Sequence, residues 1–224
     1  MPETQISPDA YADDSPRDIR PRSLSQAGLN GPELEVYKHD ARSRVWRVDH
    51  ETHGPVVVKR FEYRPLRQRL SLIVGIHPGA CELRRNQQLG EAQVPVVPIL
   101  DAGEQRDGMG GRVWLATPVM GTSLQRRLTG AEVDQTQAKR WVDAASDLAR
   151  ALLGAGFTFK DFKPSNVIIT DTGDAMLIDV GCARPDTSAK QVTRMLAVMD
   201  RVMKRDGLSR ELRERFRKRV DQPT

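Results

Sequence analysis

Asp161-Phe162-Lys163-Pro164-Ser165-Asn166 runs into the apolar stretch Val167-Ile168-Ile169-Thr170. Asp171-Thr172-Gly173-Asp174 then separates it from a second run, Ala175-Met176-Leu177-Ile178, which ends in Asp179-Val180-Gly181. Two short β-prone runs flanking a turn rich in Asp and Gly predict a β-hairpin. With Asp171 to Asp174 as a four-residue loop, Thr170 faces Ala175, Ile169 faces Met176, Ile168 faces Leu177 and Val167 faces Ile178. The next pair outward is Asn166 with Asp179. Opposed residues of an antiparallel pair lie about 4.5–5.5 Å apart at Cα. This register therefore predicts one amide and one carboxylate oxygen converging on a hard cation. Magnesium suits such a pair, since it takes one or two protein oxygens and fills its shell with phosphate and water. Asp161, five residues earlier, is placed to accept a proton from a hydroxyl beside a metal–phosphate site. Lys163 is placed to neutralise charge on a phosphoryl group in transfer.

Outward from the hairpin, the two halves of the chain differ. Upstream, Val45–Val48 and Val56–Val58 read as strands, as do Val94–Leu100 and Val113–Ala116, with Asp101–Gly111 as a Gly-rich hairpin loop. Gly79–Leu89 reads as a helix preceded by Pro78 and capped by Gly90. Downstream, Trp141, Ala145, Leu148, Ala149 and Leu152 recur at helical spacing and stop at Gly154 and Gly156. Val192, Met195, Leu196, Met199 and Val202 mark a second helix, stopped by Gly207. Leu212, Phe216 and Val220 mark a third, capped by Ser209. Strands first and helices later predict an α+β chain in two lobes. Residues 1–31 are rich in Pro, Ser, Asp and Gly, and are expected to be a disordered tail before a domain at 32–224.

D-F-K-P-S-N followed by D-V-G resembles the catalytic loop and metal-binding motif of the protein kinases. The resemblance covers roughly residues 34–183. It implies a two-lobed protein-kinase-like fold: a small N-terminal antiparallel sheet with one helix (about 32–117) and a short, mostly helical C-terminal lobe (about 122–224). It also implies ATP and Mg²⁺ as cofactors. Asp161 and Lys163 would be catalytic, and Asn166 and Asp179 would hold the metal. Lys59, at the end of Val56-Val57-Val58, would bind the nucleotide phosphates and pair with Glu82. Ser43 would lie in the turn that covers the nucleotide, and Ala116 and Pro118 in the segment that supports adenine.

The pattern departs from the kinases in several places. The turn His39-Asp40-Ala41-Arg42-Ser43-Arg44 has no glycine, and Arg42 and Arg44 are candidates to supply charge there instead. Gly108-Met109-Gly110-Gly111 reads as a plain hairpin turn. Phe159-Lys160 replaces the usual His-Arg, and no A-P-E segment or long activation loop follows Gly181. These shortenings, with V-V-V-K-R-F, A-C-E-L-R-R-N and V-P-V-V-P-I-L, resemble the bacterial lipopolysaccharide kinases. That likeness implies a sugar hydroxyl of a glycolipid or glycan as acceptor. Lys163-Pro164 is more typical of Ser/Thr protein kinases. A protein acceptor, or a pseudokinase that only binds partners, stays open.

The net charge of +5 is concentrated in Arg60, Arg64, Arg67 and Arg69 and in the segment from Arg201 to Arg219. Such clusters suit an anionic membrane face or form a solvated helix surface. Nucleic acid is the least favoured partner. Two cysteines and no apolar leader point to the cytoplasm, with the basic clusters placing the inner face of its membrane among the expected locations, and exclude a disulfide framework.

Overall fold

The computed structural model describes residues 19–29, 31–41, 43–50, 52–63, 77–107, 110–130 and 133–222. Its contacts divide the chain into two compact units. Unit 1 comprises residues 1–83 and 98–119, and unit 2 comprises 84–97 and 120–224. The architecture is α+β, with a largely antiparallel N-terminal sheet and a helical C-terminal part, consistent with a kinase-like fold.

Unit 1 carries six strands among its described residues: β1 (Arg20–Pro21), β2 (Glu35–His39), β3 (Ser43–His50), β4 (Gly54–Tyr63), β5 (Asp101–Asp107) and β6 (Gly110–Pro118). Their order is β1-β5-β6-β4-β3-β2, and every pairing except β1 with β5 is antiparallel. Helix α1 (Pro78–Glu91) starts in unit 1 and ends in unit 2. Strand alternation sorts the core. Val56, Val58, Trp46, Trp114 and Ala116 form one cluster, while Leu115, Leu83, Ile99 and Ala102 form another.

Two sequence expectations shift here. Val94–Leu100 is not a strand. Pro95 and Pro98 have no N–H to give a ladder, and the segment holds only a single bridge, Val96 to Leu177. The strand lies one step on, in Asp101–Asp107, which had read as a loop because it holds no β-branched residue. It pairs with β6 along its length, and Gly103 lets it pass the Trp114 ring, where a Cβ would collide. The second shift concerns the expected tail. Residues 1–18 lie outside the described residues, but 19–29 are packed. Arg22 pairs with Asp101 and its carbonyl accepts the Trp114 indole N–H, while Ala27 and Leu29 are buried in the Trp46 cluster. Leu24, Ala27 and Leu29 supply the apolar surface that offsets the ordering cost.

In unit 2, α2 (Leu124–Thr129), α3 (Gln135–Gly154), α4 (Ala189–Arg205) and α5 (Arg210–Val220) surround small sheets. One sheet orders β10 (Ala175–Leu177), β9 (Val167–Ile169) and β7 (Thr122–Ser123). The other joins β11 (Ala183–Arg184) to β8 (Thr158–Phe159). Of the helical faces read from the sequence, Ala145, Leu148, Ala149 and Leu152 on α3 and Met195, Leu196, Met199 and Val202 on α4 are buried, whereas Trp141 and Val192 are half-buried and Val142, next to Trp141, is buried. Phe162 is fully buried, with its ring 6.3 Å from that of Phe216 on α5. Ser209 caps α5 by accepting from Leu212 N. Trp141 on α3 lies beneath the Arg127 guanidinium. Helix α1 runs past the expected Gly90 cap. Its left-handed residue is Gln93 (φ 58°), with Val94 N bonded to Leu89 O and Gln93 N to Gly90 O. That is a Schellman exit with a glutamine where glycine is usual.

Candidate active site

In unit 1, the alternation of β4 decides which side chains meet α1. Val56 and Val58 take one face, so Val57, Lys59 and Phe61 take the other. Lys59 stands opposite Leu115, which packs with Leu83 of α1. Glu82 precedes Leu83, and Lys59 Nζ donates to its Oε2 at 2.7 Å. The two side chains are 18% and 12% exposed, so solvent screens this pair less than a surface one. The Phe61 ring lies 4.9 Å from Nζ.

The start of α1 is held by a group that the sequence reading missed. His77 occupies the N-cap, and its Nδ1 accepts from Ala80 N at 3.2 Å and lies 3.4 Å from the Tyr63 hydroxyl. That role needs a neutral ring with a bare Nδ1. Burial pushes the His77 pKa down and the Tyr63 hydroxyl pKa up. The available signal was Pro78, since proline favours the first helical position and the residue before it is then the cap.

The other expected nucleotide contacts in unit 1 are occupied within the fold. Ser43 is buried, and its amide donates to Asp40 Oδ1 at 2.8 Å to close the β2–β3 turn. Ala116 lies in a strand paired on both sides, and its carbonyl accepts from Leu100 N. Pro118 is buried at the last pairing of β6, opposite Val56. Arg44 is bonded to Glu33 at 2.5 Å and stacks over Trp46. Arg42 and residues 64–76, with Arg64, Arg67 and Arg69, lie outside the described residues.

In unit 2, the Asp161–Asn166 segment folds as one hydrogen-bonded knot. Phe159 and Phe162 are buried on either side of Lys160 and Asp161, which fixes where the latter two emerge. Pro164–Asn166 forms a single 3₁₀ turn, closed by Asn166 N to Lys163 O at 2.9 Å. Asn166 is 5% exposed. Its Nδ2 donates to Asp161 O at 3.0 Å and to Asp161 Oδ2 at 3.2 Å. Both targets are acceptors, so the amide orientation is fixed and Asn166 Oδ1 faces away from them. Lys163 Nζ also donates to Asp161 Oδ2, at 2.8 Å. Asp161 Oδ1 therefore remains for a further donor.

The hairpin register differs from the expected one by a residue. Ile169 pairs with Ala175, Ile168 with Met176 and Val167 with Leu177. Thr170 N donates to Asp174 O, and Ile178 N donates to Asn166 O at 3.1 Å. The loop is thus the three residues Asp171–Gly173, with Gly173 at φ +94°, and Thr170 Oγ1 accepts from Asp174 N. Asn166 stands opposite Ile178, and Asp179 comes one residue later. A one-residue slip in a strand would turn Asp179 to the opposite face. Asp179 does not continue the strand: its backbone is left-handed (φ 59°, ψ 35°), and its side chain is exposed while Val180 is buried. A non-glycine residue in this conformation is uncommon, and such residues cluster at functional sites.

Cys182 Sγ sits against the backbone amide of Asp161, and its thiol pKa is raised by burial and by the charge of Asp161. Five of the nine basic residues from Arg201 to Arg219 are paired internally, Arg205 with Asp206 and Arg210 with Glu214 among them. Arg215 and Arg219 form two-pronged pairs with Asp143 and Asp147 of α3, and Arg213 pairs with Asp200. Among the described residues, no helix is long and apolar enough to cross a membrane.

No family model matches the chain. Among curated proteins it is similar to the mitogen-activated protein kinase mpkC of Aspergillus niger, 28% identical over 102 residues. These are 46% of this chain and 23% of that kinase, so the chain spans under a quarter of the relative's length. The relationship is weak and partial, and it is protein-kinase-like.

Proposed function

We propose that the chain is an ATP-dependent phosphotransferase. The observation that carries this reading is the Asp161–Lys163–Asn166 knot, which among the described residues leaves one oxygen of Asp161 and one of Asn166 without a bond. In this reading Lys59, oriented by Glu82, serves the nucleotide phosphates. Asn166 Oδ1 and the Asp179 carboxylate are the protein oxygens for Mg²⁺, and phosphate and water would complete its shell. The exposed position and left-handed backbone of Asp179 are compatible with that role. Magnesium would neutralise charge on the phosphates. Asp161 Oδ1 takes the acceptor proton, and Lys163 steadies the carboxylate and the phosphoryl group. Positioning and electrostatics do the work, with no covalent enzyme intermediate.

The acceptor in our reading is a sugar hydroxyl of the lipopolysaccharide inner core or a related glycan, met at the cytoplasmic membrane face. Its support is the sequence likeness in Val56–Phe61, Ala80–Asn86, Val94–Leu100, Lys160–Asn166 and Leu177–Gly181 alone. A second reading, a binding-only pseudokinase, draws on the glycine-free β2–β3 turn and on the internal pairing of Ser43 and Arg44. Magnesium-dependent ADP release separates the two. The wild type releases ADP, and Asp161→Asn lowers the rate by about 10²–10⁴-fold with the fold intact by circular dichroism. An equal rate in the variant overturns the catalytic role of Asp161. Mass spectrometry of Kdo-lipid A, core oligosaccharide and a generic protein incubated with ATP then identifies the acceptor class.

A further inference from the structure

Beside Asp161, unit 2 carries four cations that the chemistry above does not use. The pairing of β8 with β11 sets Thr158 opposite Arg184 and Phe159 opposite Ala183, so Lys160, two residues after Thr158, falls on the face that Thr158 shares with Arg184. Phe159 N donates to Met195 Sδ at 3.4 Å, which holds this ribbon against α4. Gln191, Arg194, Val198 and Arg201 follow one another along α4 at helical spacing. They flank the stripe of Met195, Met199 and Val202 that faces the core.

The result is two adjoining hollows. The smaller, of about 50 Å³, is lined by Lys160, Arg184 and Arg194, with Thr158 and Gln191. The larger, of about 430 Å³, shares Lys160 and Arg194 and adds Asp161, Arg201, Ala197 and Val198. No ion pair among the described residues includes Lys160, Arg194 or Arg201, whereas the α5 arginines have aspartate partners. Gathering cations without counter-charge is unfavourable unless an anion joins them. Guanidinium groups on two elements suit the fork geometry of a phosphate. Asp161 is already paired with Lys163 and Asp186 offsets Arg184 in part, and the remaining surplus of positive charge suits a phosphate. Ala197 and Val198 lie between the arginines and give an apolar face for a carbon skeleton.

We propose that these hollows are the acceptor subsite, and that the acceptor already carries a phosphate group before it is phosphorylated. This rests on the phosphotransferase reading and specifies its substrate class. The phosphate docks on Lys160, Arg184, Arg194 and Arg201, and a hydroxyl of the same molecule reaches Asp161. The hydroxyl oxygen forms a bond to the γ-phosphorus of ATP. The bond from that phosphorus to the β–γ bridging oxygen breaks, ADP leaves with that oxygen, and the hydroxyl proton passes to Asp161.

The test is calorimetric titration of the full chain with inorganic phosphate, in wild type and in Arg194→Gln/Arg201→Gln, alongside titration with MgATP. The expected result is phosphate binding that weakens by about tenfold or more in the double variant, with MgATP affinity within about twofold of wild type. MgATP affinity is also expected to be unchanged by saturating phosphate. Arg194 and Arg201 are exposed surface residues, and a matched thermal midpoint checks the fold of the variant. No phosphate binding, equal binding in the variant, or displacement of MgATP by phosphate overturns the subsite. Phosphate binding without MgATP binding overturns the phosphotransferase reading and the acceptor assignment with it, and leaves only an anion site.

Discussion

Asn166 gives its side-chain nitrogen to Asp161 twice, to the main-chain carbonyl at 3.0 Å and to the carboxylate at 3.2 Å. The residue proposed to hold the metal is thus the one that orients the proposed base. The two roles are separable by substitution. Asn166→Ala removes both bonds from a buried site and is expected to cost about 1–3 kcal/mol. Asn166→Asp keeps an oxygen for a cation but sets a second carboxylate beside Asp161. That raises a pKa of the pair, so its ADP release should shift to higher pH relative to wild type. Thermal midpoints and a pH–rate profile check both.

Lys59 and Glu82 lean on each other more than a surface pair does. Lys59→Met leaves a mostly buried carboxylate without its cation, and Glu82→Gln keeps a neutral acceptor for Lys59. The first should destabilise by about 1–3 kcal/mol and the second by less. Both should weaken MgATP binding, Lys59→Met by the larger factor. Urea unfolding and ATP titration read the two effects. Equal ATP affinity in wild type and Lys59→Met would remove Lys59 from the site.

At Asp179, shape and charge can be tested apart. Asparagine tolerates left-handed backbone, so Asp179→Asn should fold with a midpoint near that of wild type and lose magnesium-dependent ADP release. Asp179→Ala should lose that release as well and also destabilise by about 1–2 kcal/mol, because alanine has no polar side chain to ease the conformation. If both variants keep full activity, the carboxylate is not a metal ligand.

His77 ties the start of α1 to pH. Burial lowers its folded pKa below the ordinary 6.5. As pH falls through 6.5 the unfolded chain takes up a proton that the folded ring refuses, so stability drops until the folded pKa is passed. At neutral pH and above, this contribution is fully present. His77→Asn keeps a cap acceptor without titrating in this range. Its thermal midpoint should therefore fall less between pH 7.5 and 5.5 than that of wild type. Parallel slopes would clear His77.

Much of this arrangement could be read from residues. The hairpin, the α3 and α4 faces and the Lys59–Glu82 partnership followed from periodicity and from the kinase resemblance. What escaped reading depended on backbone detail or on distant partners. A loop of Asp171–Gly173 rather than Asp171–Asp174 turns on the left-handed Gly173, and composition alone does not distinguish the two. The strand at Asp101–Asp107 has no β-forming side chains of its own and depends on β6 and on Arg22 for its place. The arginines of α5 looked like a free basic surface because Asp143 and Asp147 lie some seventy residues away.

The distribution of indoles has a practical consequence. Trp46 and Trp114 are buried in the sheet of unit 1, and Trp141 sits half covered on α3 of unit 2. Each unit therefore has its own built-in fluorophore, and the buried and half-wet environments should emit at different wavelengths. A chain with phenylalanine at 46 and 114 would report on unit 2 alone, and one with phenylalanine at 141 would report on unit 1. The order in which the two units melt then becomes an optical measurement that needs no attached dye.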